Sequence, residues 1–427
     1  MKRIGLIFIF LSILVSCKKP VDQQRISKRL QSLLDAKEYF KLASELKAYD
    51  GVLDPSKKLF YRSFSDNAFN SNQACIADID TLLKHHAQGI TEINKVRLLR
   101  LQSDSYFKLY EYAKAAQCCD SILKLHSHAL KQDELTDIKN DLTMRDGLKN
   151  TPRQQTIIVD NTTLHWQRDM IGLIEVPAKT NNSPFNAIFD TRANISSITQ
   201  TYARKLGLRI LDVTYNEGSG ITGIQFKTGL GIADSLYIGS ILVKNVVFQV
   251  MPDSILYITP IKFQLNVIIG FPVIEQMKEV HIFKNGRMTI PTNPLQMHLH
   301  NFVLDGLDPV IALKKGNDTL LFHFDSGATS STFYQAYYNK YKSEIEKTGI
   351  KKVLGFGGAG GMQKKSVFVL PHIDLELGEK KGRIDSASVL TQKIIPNEYF
   401  FGNIGQDFTN GFNELIYNFK YMYVAGR

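Results

Sequence analysis

Two stretches of this chain end an apolar run in an acid and continue into small and hydroxyl-bearing residues: "FNAIFDTRANIS" (185–196) and "FHFDSGATSSTF" (322–333). The two acids, Asp190 and Asp325, lie 135 residues apart. The same offset carries Gly220 and Gly223 of "GSGITG" onto Gly355 and Gly358 of "LGFGG", and Gly270 of "NVIIGFPVI" onto Gly405 of "GNIGQDF". It also relates the closing segments "VHIFKNGRMTI" (280–290) and "LIYNFKYMYVA" (415–425). A four-residue slip, Gly239 against Gly378, falls in loop-like sequence. A lone acid after an apolar strand is ordinarily a turn residue. An acid that repeats together with its neighbourhood marks an internal duplication. The chain is therefore constrained to contain two copies of one unit, with a pseudo-twofold between Asp190 and Asp325.

The rest of the chain divides around that unit. Residues 22–148 read as helical, rich in Leu, Ala, Lys, Gln and Asp, with Leu98, Leu101, Ser105 and Leu109 along one helical face. "DTLLK" (80–84) is echoed 40 residues later by "DSILK" (120–124). The stretch "DSYFKLYEYAKAAQCCDSILKL" resembles a tetratricopeptide unit, with a turn near Tyr110–Tyr112. Such helical-hairpin repeats present a groove to another chain, so a protein partner is one expectation; a plain helical bundle packed on its neighbour is the other. A polar linker is expected over 149–157. Beyond it, short Val/Ile/Phe/Tyr runs alternate with Gly, Asn, Asp and Pro, the pattern of strands and turns. The expected fold class is multidomain: an all-α helical-hairpin region, then an all-β region of two lobes, 158–297 and 298–427.

The N-terminus "MKRIGLIFIFLSILVSC" has two early cations and an apolar core too short to span a membrane comfortably. Its end, Leu14-Val15-Ser16-Cys17, resembles a bacterial lipobox. The resemblance implies a signal peptide over 1–17, lipid on Cys17 and attachment to a bacterial envelope membrane. Later segments do not reach the roughly 18 uninterrupted apolar residues of a span, so the lipid is the expected anchor. The net charge of +11 comes from scattered cations, which speaks against a nucleic-acid face and suits an anionic envelope. Cys75, Cys118 and Cys119 lack both a disulfide framework and zinc-ligand spacing, and read as small buried apolar residues. The sequence also gives no His/Asp/Glu cluster for a metal, and neither metal nor cofactor is expected. "GFGGAGG" (355–361) lacks the Lys-Ser/Thr of a phosphate loop.

The duplicated acid turns, the glycine-rich segments about 30 residues on and the Ile-Gly turns together resemble the aspartic peptidases, with retropepsin-sized lobes fused in tandem as in the pepsins. The resemblance covers 156–427 and implies an acid-protease-like fold that hydrolyses peptide or protein substrates. Asp190 and Asp325 would be the catalytic pair. Thr191, Ser326 and Gly327 would support it, and Gly220, Gly223, Gly355 and Gly358 would lie in mobile flaps. Two carboxylates sharing a proton can activate a water on one side and protonate on the other, and close like charges push their titrations apart. Small residues after each acid let the turns meet.

The departure is Arg192, which stands where the second copy has Gly327 and where the family motif has Gly. The second lobe thus carries the fuller motif. Arg192 could swing out, pair with Asp190 and lower its pKa, or block the substrate and leave a non-catalytic peptide-binding module. His323, on the face of Asp325, is expected to be a satisfied structural residue lining the site at most.

Overall fold

The structure, a computed structural model, describes residues 22–218, 224–358, 360–394 and 398–427. Cys17, Gly220 and Gly223 lie outside the described residues.

The helical region begins with α1 (Gln23–Asp35), α2 (Tyr39–Ala48) and α3 (Pro55–Ala68). Its starts are written in the sequence: Asp22 accepts from the Gln24 and Arg25 N–H groups, and Asp54 from Ser56 and Lys57, with Pro55 at the first helical position. The 40-residue echo extends to whole elements. The helix α4 (Asn72–His85), the turn Ala87–Gly89 and α5 (Glu92–Lys108) recur as α6 (Tyr112–Leu125), the turn Ser127–Ala129 and α7 (Gln132–Gly147). Tyr110, at φ 59°, makes the tight turn between α5 and α6. Leu98 and Ser105 face inward as the periodicity requires. Cys75, Cys118 and Cys119 are free and buried. Among the described residues, no helix is long and apolar enough to cross a membrane.

The linker is shorter than the sequence indicated. Gln155–Ile157 already forms a strand, pairing with Ile241–Met251 in the register Gln155↔Lys244. Leu148 is fully buried in an apolar cluster with Phe107, Tyr215 and Leu230, so the start of the connection is held against the first lobe. Turn-type composition was the only cue for the linker, and a three-residue edge strand leaves little periodicity to read.

The two lobes share one central strand arrangement. In the first, Val267–Ile269 lies between Ser183–Phe189, to which it is parallel, and Ser196–Thr199, to which it is antiparallel. In the second, Gly402–Ile404 stands in the same relation to Asp318–Phe324 and Thr332–Phe333. Long hairpins follow, Arg209–Gly218 with Gln225–Ile238 and Ile350–Gly358 with Gly361–Leu377. The four-residue slip sits between Gly239 and Gly378, which make equivalent turns at φ 58° and 62°. Gly355 and Gly358, expected in a flap, lie in the first strand of the second lobe's hairpin, and the positive-φ residues at its turn are Gly360 and Gly361.

A five-stranded sheet joins the lobes, in the order Thr162–His165, Arg287–Ile290, Glu279–Phe283, Glu414–Asn418, Tyr423–Gly426. At its centre His281 pairs with Ile416, its own duplicate 135 residues on. A residue opposite its own copy in an antiparallel ladder marks the pseudo-twofold. The apolar core runs beneath both lobes and includes Phe189, Ile269, Phe324, Ile404 and Tyr417.

Candidate active site

Each acid ends a buried strand and is pinned to its neighbour. The Asp190 N–H donates to Ile269 O at 3.0 Å, and the Asp325 N–H to Ile404 O at 3.0 Å. Phe189 and Phe324, one residue earlier, are buried, which makes each mount rigid. Beside each acid an Ile-Gly turn packs backbone against backbone. A Cβ on Gly270 would stand 2.5 Å from Ala193 O, and one on Gly405 2.7 Å from Ala328 O. Glycine is needed at both for that approach. Gly270 N–H donates to Ser196 Oγ and Gly405 N–H to Ser331 Oγ, a further pair at the same offset.

The two acid turns grip each other. Thr191 N–H donates to Ser326 Oγ at 2.9 Å, and Ser326 N–H to Thr191 Oγ1 at 3.0 Å. Each hydroxyl then donates into the opposite strand, Thr191 Oγ1 to Phe324 O at 3.1 Å and Ser326 Oγ to Phe189 O at 2.8 Å. Both residues are buried, and these four bonds satisfy groups that would otherwise be orphaned in the core. Each hydroxyl thus reaches across to the opposite lobe.

The carboxylates are held differently. Asp190 Oδ1 accepts from the Arg192 N–H at 2.8 Å and the Ala193 N–H at 3.2 Å. Asp325 Oδ1 accepts from the Gly327 N–H at 2.9 Å, and its Oδ2 from Asn403 Nδ2 at 2.8 Å. The duplicate of Asn403 is Ile268, which has no amide to offer, so this bond breaks the symmetry of the pair. Burial, then the charge of Asp325, push the Asp190 carboxyl up to about 7; the two backbone N–H groups and the Arg192 cation oppose this less strongly.

Arg192 takes a course that the sequence did not anticipate. It neither swings into solvent nor pairs chiefly with Asp190. Its side chain crosses to the second lobe, donating from Nη1 to Asn403 Oδ1 at 3.2 Å, with Nε 3.8 Å from Asp308 Oδ1. The Tyr334 oxygen also interacts electrostatically with it. Burial disfavours its charge, but the Tyr334 oxygen, Asp308 and Asp325 outweigh that and keep it protonated. Arg192, Asn403 and Asp325 thus form one hydrogen-bonded chain. His323 also departs from expectation. Its Nδ1 is buried without a partner, and its ring meets Phe400 edge-on at 4.8 Å. Burial, Arg192 and Lys37 push its pKa down to about 2, so the imidazole is neutral.

Sequence reading missed Asn403, Asp308 and Tyr334. Asn403 left a trace, as the polar residue opposite Ile268 when the copies are aligned; Asp308 and Tyr334 have none, because only the folded chain brings Arg192 to them. Among the described residues, no three or more His, Cys, Asp or Glu side chains gather as they would around a metal ion.

A family model described as "Aspartyl protease" matches residues 176–273, the lobe that carries Arg192 rather than the one with the fuller motif. No curated protein matches the chain. Similar solved structures include a basic 7S globulin from soybean, at 11% identity and TM-score 0.40, covering 62% of this chain and 94% of that one. Conglutin gamma, a basic 7S globulin from lupine seeds, has 10% identity, TM-score 0.40 and the same coverage, 62% and 94%. A retropepsin-like aspartic protease from Rickettsia conorii has 17% identity and TM-score 0.22, covering 33% of this chain and 94% of that one. The chain is a multidomain protein in which a helical N-terminal region precedes a β-rich region with an aspartic-protease-like domain.

Proposed function

We propose that the protein is an aspartic endopeptidase in which Asp190 and Asp325 hydrolyse a peptide bond through a shared water. The reciprocal Thr191–Ser326 grip supports this reading, because it ties together the two acid turns of different lobes. Asp190, whose carboxyl pKa is pushed up by burial and by Asp325, holds the shared proton. Asp325 takes part as the carboxylate, its two oxygens accepting from Gly327 and Asn403. Asp325 removes a proton from the water as its oxygen bonds to the scissile carbonyl carbon. Asp190 gives its proton to the carbonyl oxygen, forming a neutral tetrahedral diol. Asp325 then delivers its proton to the amide nitrogen, the C–N bond breaks, and a diol hydroxyl returns a proton to Asp190. The amine and the acid leave, and the pair is restored.

A second reading, a peptide-binding module without turnover, draws on Arg192, which stands where the second lobe has Gly327 and reaches Asn403, the partner of Asp325. Cleavage of a mixed peptide library, with Asp325→Asn and Asp190→Asn as controls, separates the two. Turnover abolished by either change supports the peptidase, whereas binding without turnover in the wild type supports the module.

The lipobox supports a further part of the reading, that lipid on Cys17 tethers the protein to a bacterial envelope membrane, at the outer membrane, in the periplasm or on the cell surface. Cys17→Ser is then expected to release the protein from membrane fractions, and unchanged sedimentation would contradict the tether. A protein partner for the helical repeats belongs to the same reading, supported by the 40-residue recurrence of their elements.

A further inference from the structure

We infer that Lys37 and Tyr39, where α1 gives way to α2, are positioning residues for the acid pair, so that the helical region is a working part of the site. This rests on the peptidase reading of Asp190 and Asp325.

Both oxygens of Asp305 are taken from the helical side. Lys37 Nζ donates to Oδ2 at 2.5 Å and Tyr39 OH to Oδ1 at 2.8 Å. Lys37 also lies over the Tyr399 ring, 4.6 Å from its centroid. Asp305 stands opposite Asp308 across the hairpin of Phe302–Asp305 and Asp308–Lys315. From Asp308 the chain continues through Arg192 to Asn403 and Asp325, by the contacts already described. Polar contacts on either side of this hairpin, joined by the backbone pairing of Asp305 with Asp308, therefore lead from a helical turn to a carboxylate of the pair.

Apolar packing follows the same route. Tyr39 and Ala68 share a cluster with Val303, Val310, Leu321 and Phe400. Phe400 meets the ring of His323, two residues before Asp325. The first lobe is held as well. Tyr110 OH and Gln154 Nε2 both donate to Pro272 O, at 2.8 and 2.9 Å, just beyond Gly270. Asn70 Nδ2 donates to Glu275 at 2.9 Å. The helical region thus grips both lobes directly behind the elements that carry the acids. Holding Asp305 fixes the hairpin, the hairpin fixes Asp308, and Asp308 fixes the cation that orients Asn403 on Asp325.

The test uses the full chain with Lys37→Met, Tyr39→Phe and Lys37→Arg. Two readouts are taken: kcat and KM on a cleaved peptide, and the NMR signal of the Asn403 side-chain amide, which needs no turnover. Lys37→Met and Tyr39→Phe are expected to lower kcat by about tenfold, as small misplacements of catalytic groups do, with KM held. Lys37→Arg is expected to restore most of the rate, and the Asn403 signal to move in the first two variants. Tyr39→Phe is nearly isosteric and carries the test where Lys37→Met does not fold. Equal losses in kcat and affinity, or no rescue by arginine, overturn the inference. An unmoved Asn403 signal overturns it whatever the rate does. If the wild type cleaves nothing, the peptidase reading fails by itself and the Asn403 signal alone decides: a shift supports the positioning route, and no shift rejects it.

Discussion

Gly327 lies so close to Asp190 that a Cβ on it would stand 2.3 Å from the carboxyl carbon and from Oδ2. Neither the strand-mounted acid nor the gripped turn can move away. Gly327→Ala is therefore expected to destabilise the fold by about 1–3 kcal/mol, as overpacking does, and to abolish turnover by displacing Asp190. Urea midpoints and peptide cleavage check both. A variant of wild-type stability and rate would show that the turns have more freedom than the contact allows.

Thr191→Val keeps the shape of the side chain and removes its hydroxyl. Ser326 N–H would lose its acceptor and Phe324 O its donor, both buried. The expected cost is about 1–3 kcal/mol per orphaned group. Denaturant unfolding measures it, and combining the change with Ser326→Ala should cost less than the two changes summed, because they break one shared network.

Asp190 makes the folded protein bind a proton that the unfolded chain releases near the ordinary carboxylate range. Since its folded pKa is raised to about 7, stability should fall as pH rises from about 4 to about 7. The group is a liability at neutral pH and costs nothing below its unfolded pKa. Asp190→Asn removes that slope and should raise stability at pH 7–8, with little gain near pH 4. Thermal melts across pH would show it. An identical slope in both proteins would mean that Asp190 does not hold the proton.

Arg192→Gln keeps bulk and removes the cation. Arg192 lowers the Asp190 pKa, though less than burial and Asp325 raise it. The upper limb of a pH–rate profile is thus expected to move upward, by less than about one pH unit. Asp308 would lose its partner, so a lower melting temperature should accompany the shift. An unchanged profile and melt would remove Arg192 from any role at the site.

Much of the β half was legible because a duplication is written twice. Asp190 and Asp325, Gly270 and Gly405, and the strands meeting at His281 and Ile416 were each marked by one offset. Thr191 and Ser326 were marked as hydroxyls at matched positions, and the resemblance, not the offset, gave them a supporting role. What differs between the copies could not be read this way. Arg192 was visible as an anomaly, but its path to Asn403, Asp308 and Tyr334 depends on how two lobes face one another. The link from Lys37 to Asp305 spans 268 residues between regions of unlike texture, and no local pattern announces it. The linker end shifted because a three-residue edge strand, Gln155–Ile157, leaves too little periodicity to read.

The measurement that bears most directly on the account is the pH–rate profile of purified protein on a mixed peptide library, beside Asp325→Asn. Cleavage is expected to be strongest in acid, to decline as pH rises through about 7 when Asp190 gives up the shared proton, and to disappear in the variant. Cleavage that persists undiminished in Asp325→Asn, or a wild type that binds peptides and cleaves none at any pH where it is folded, would contradict it.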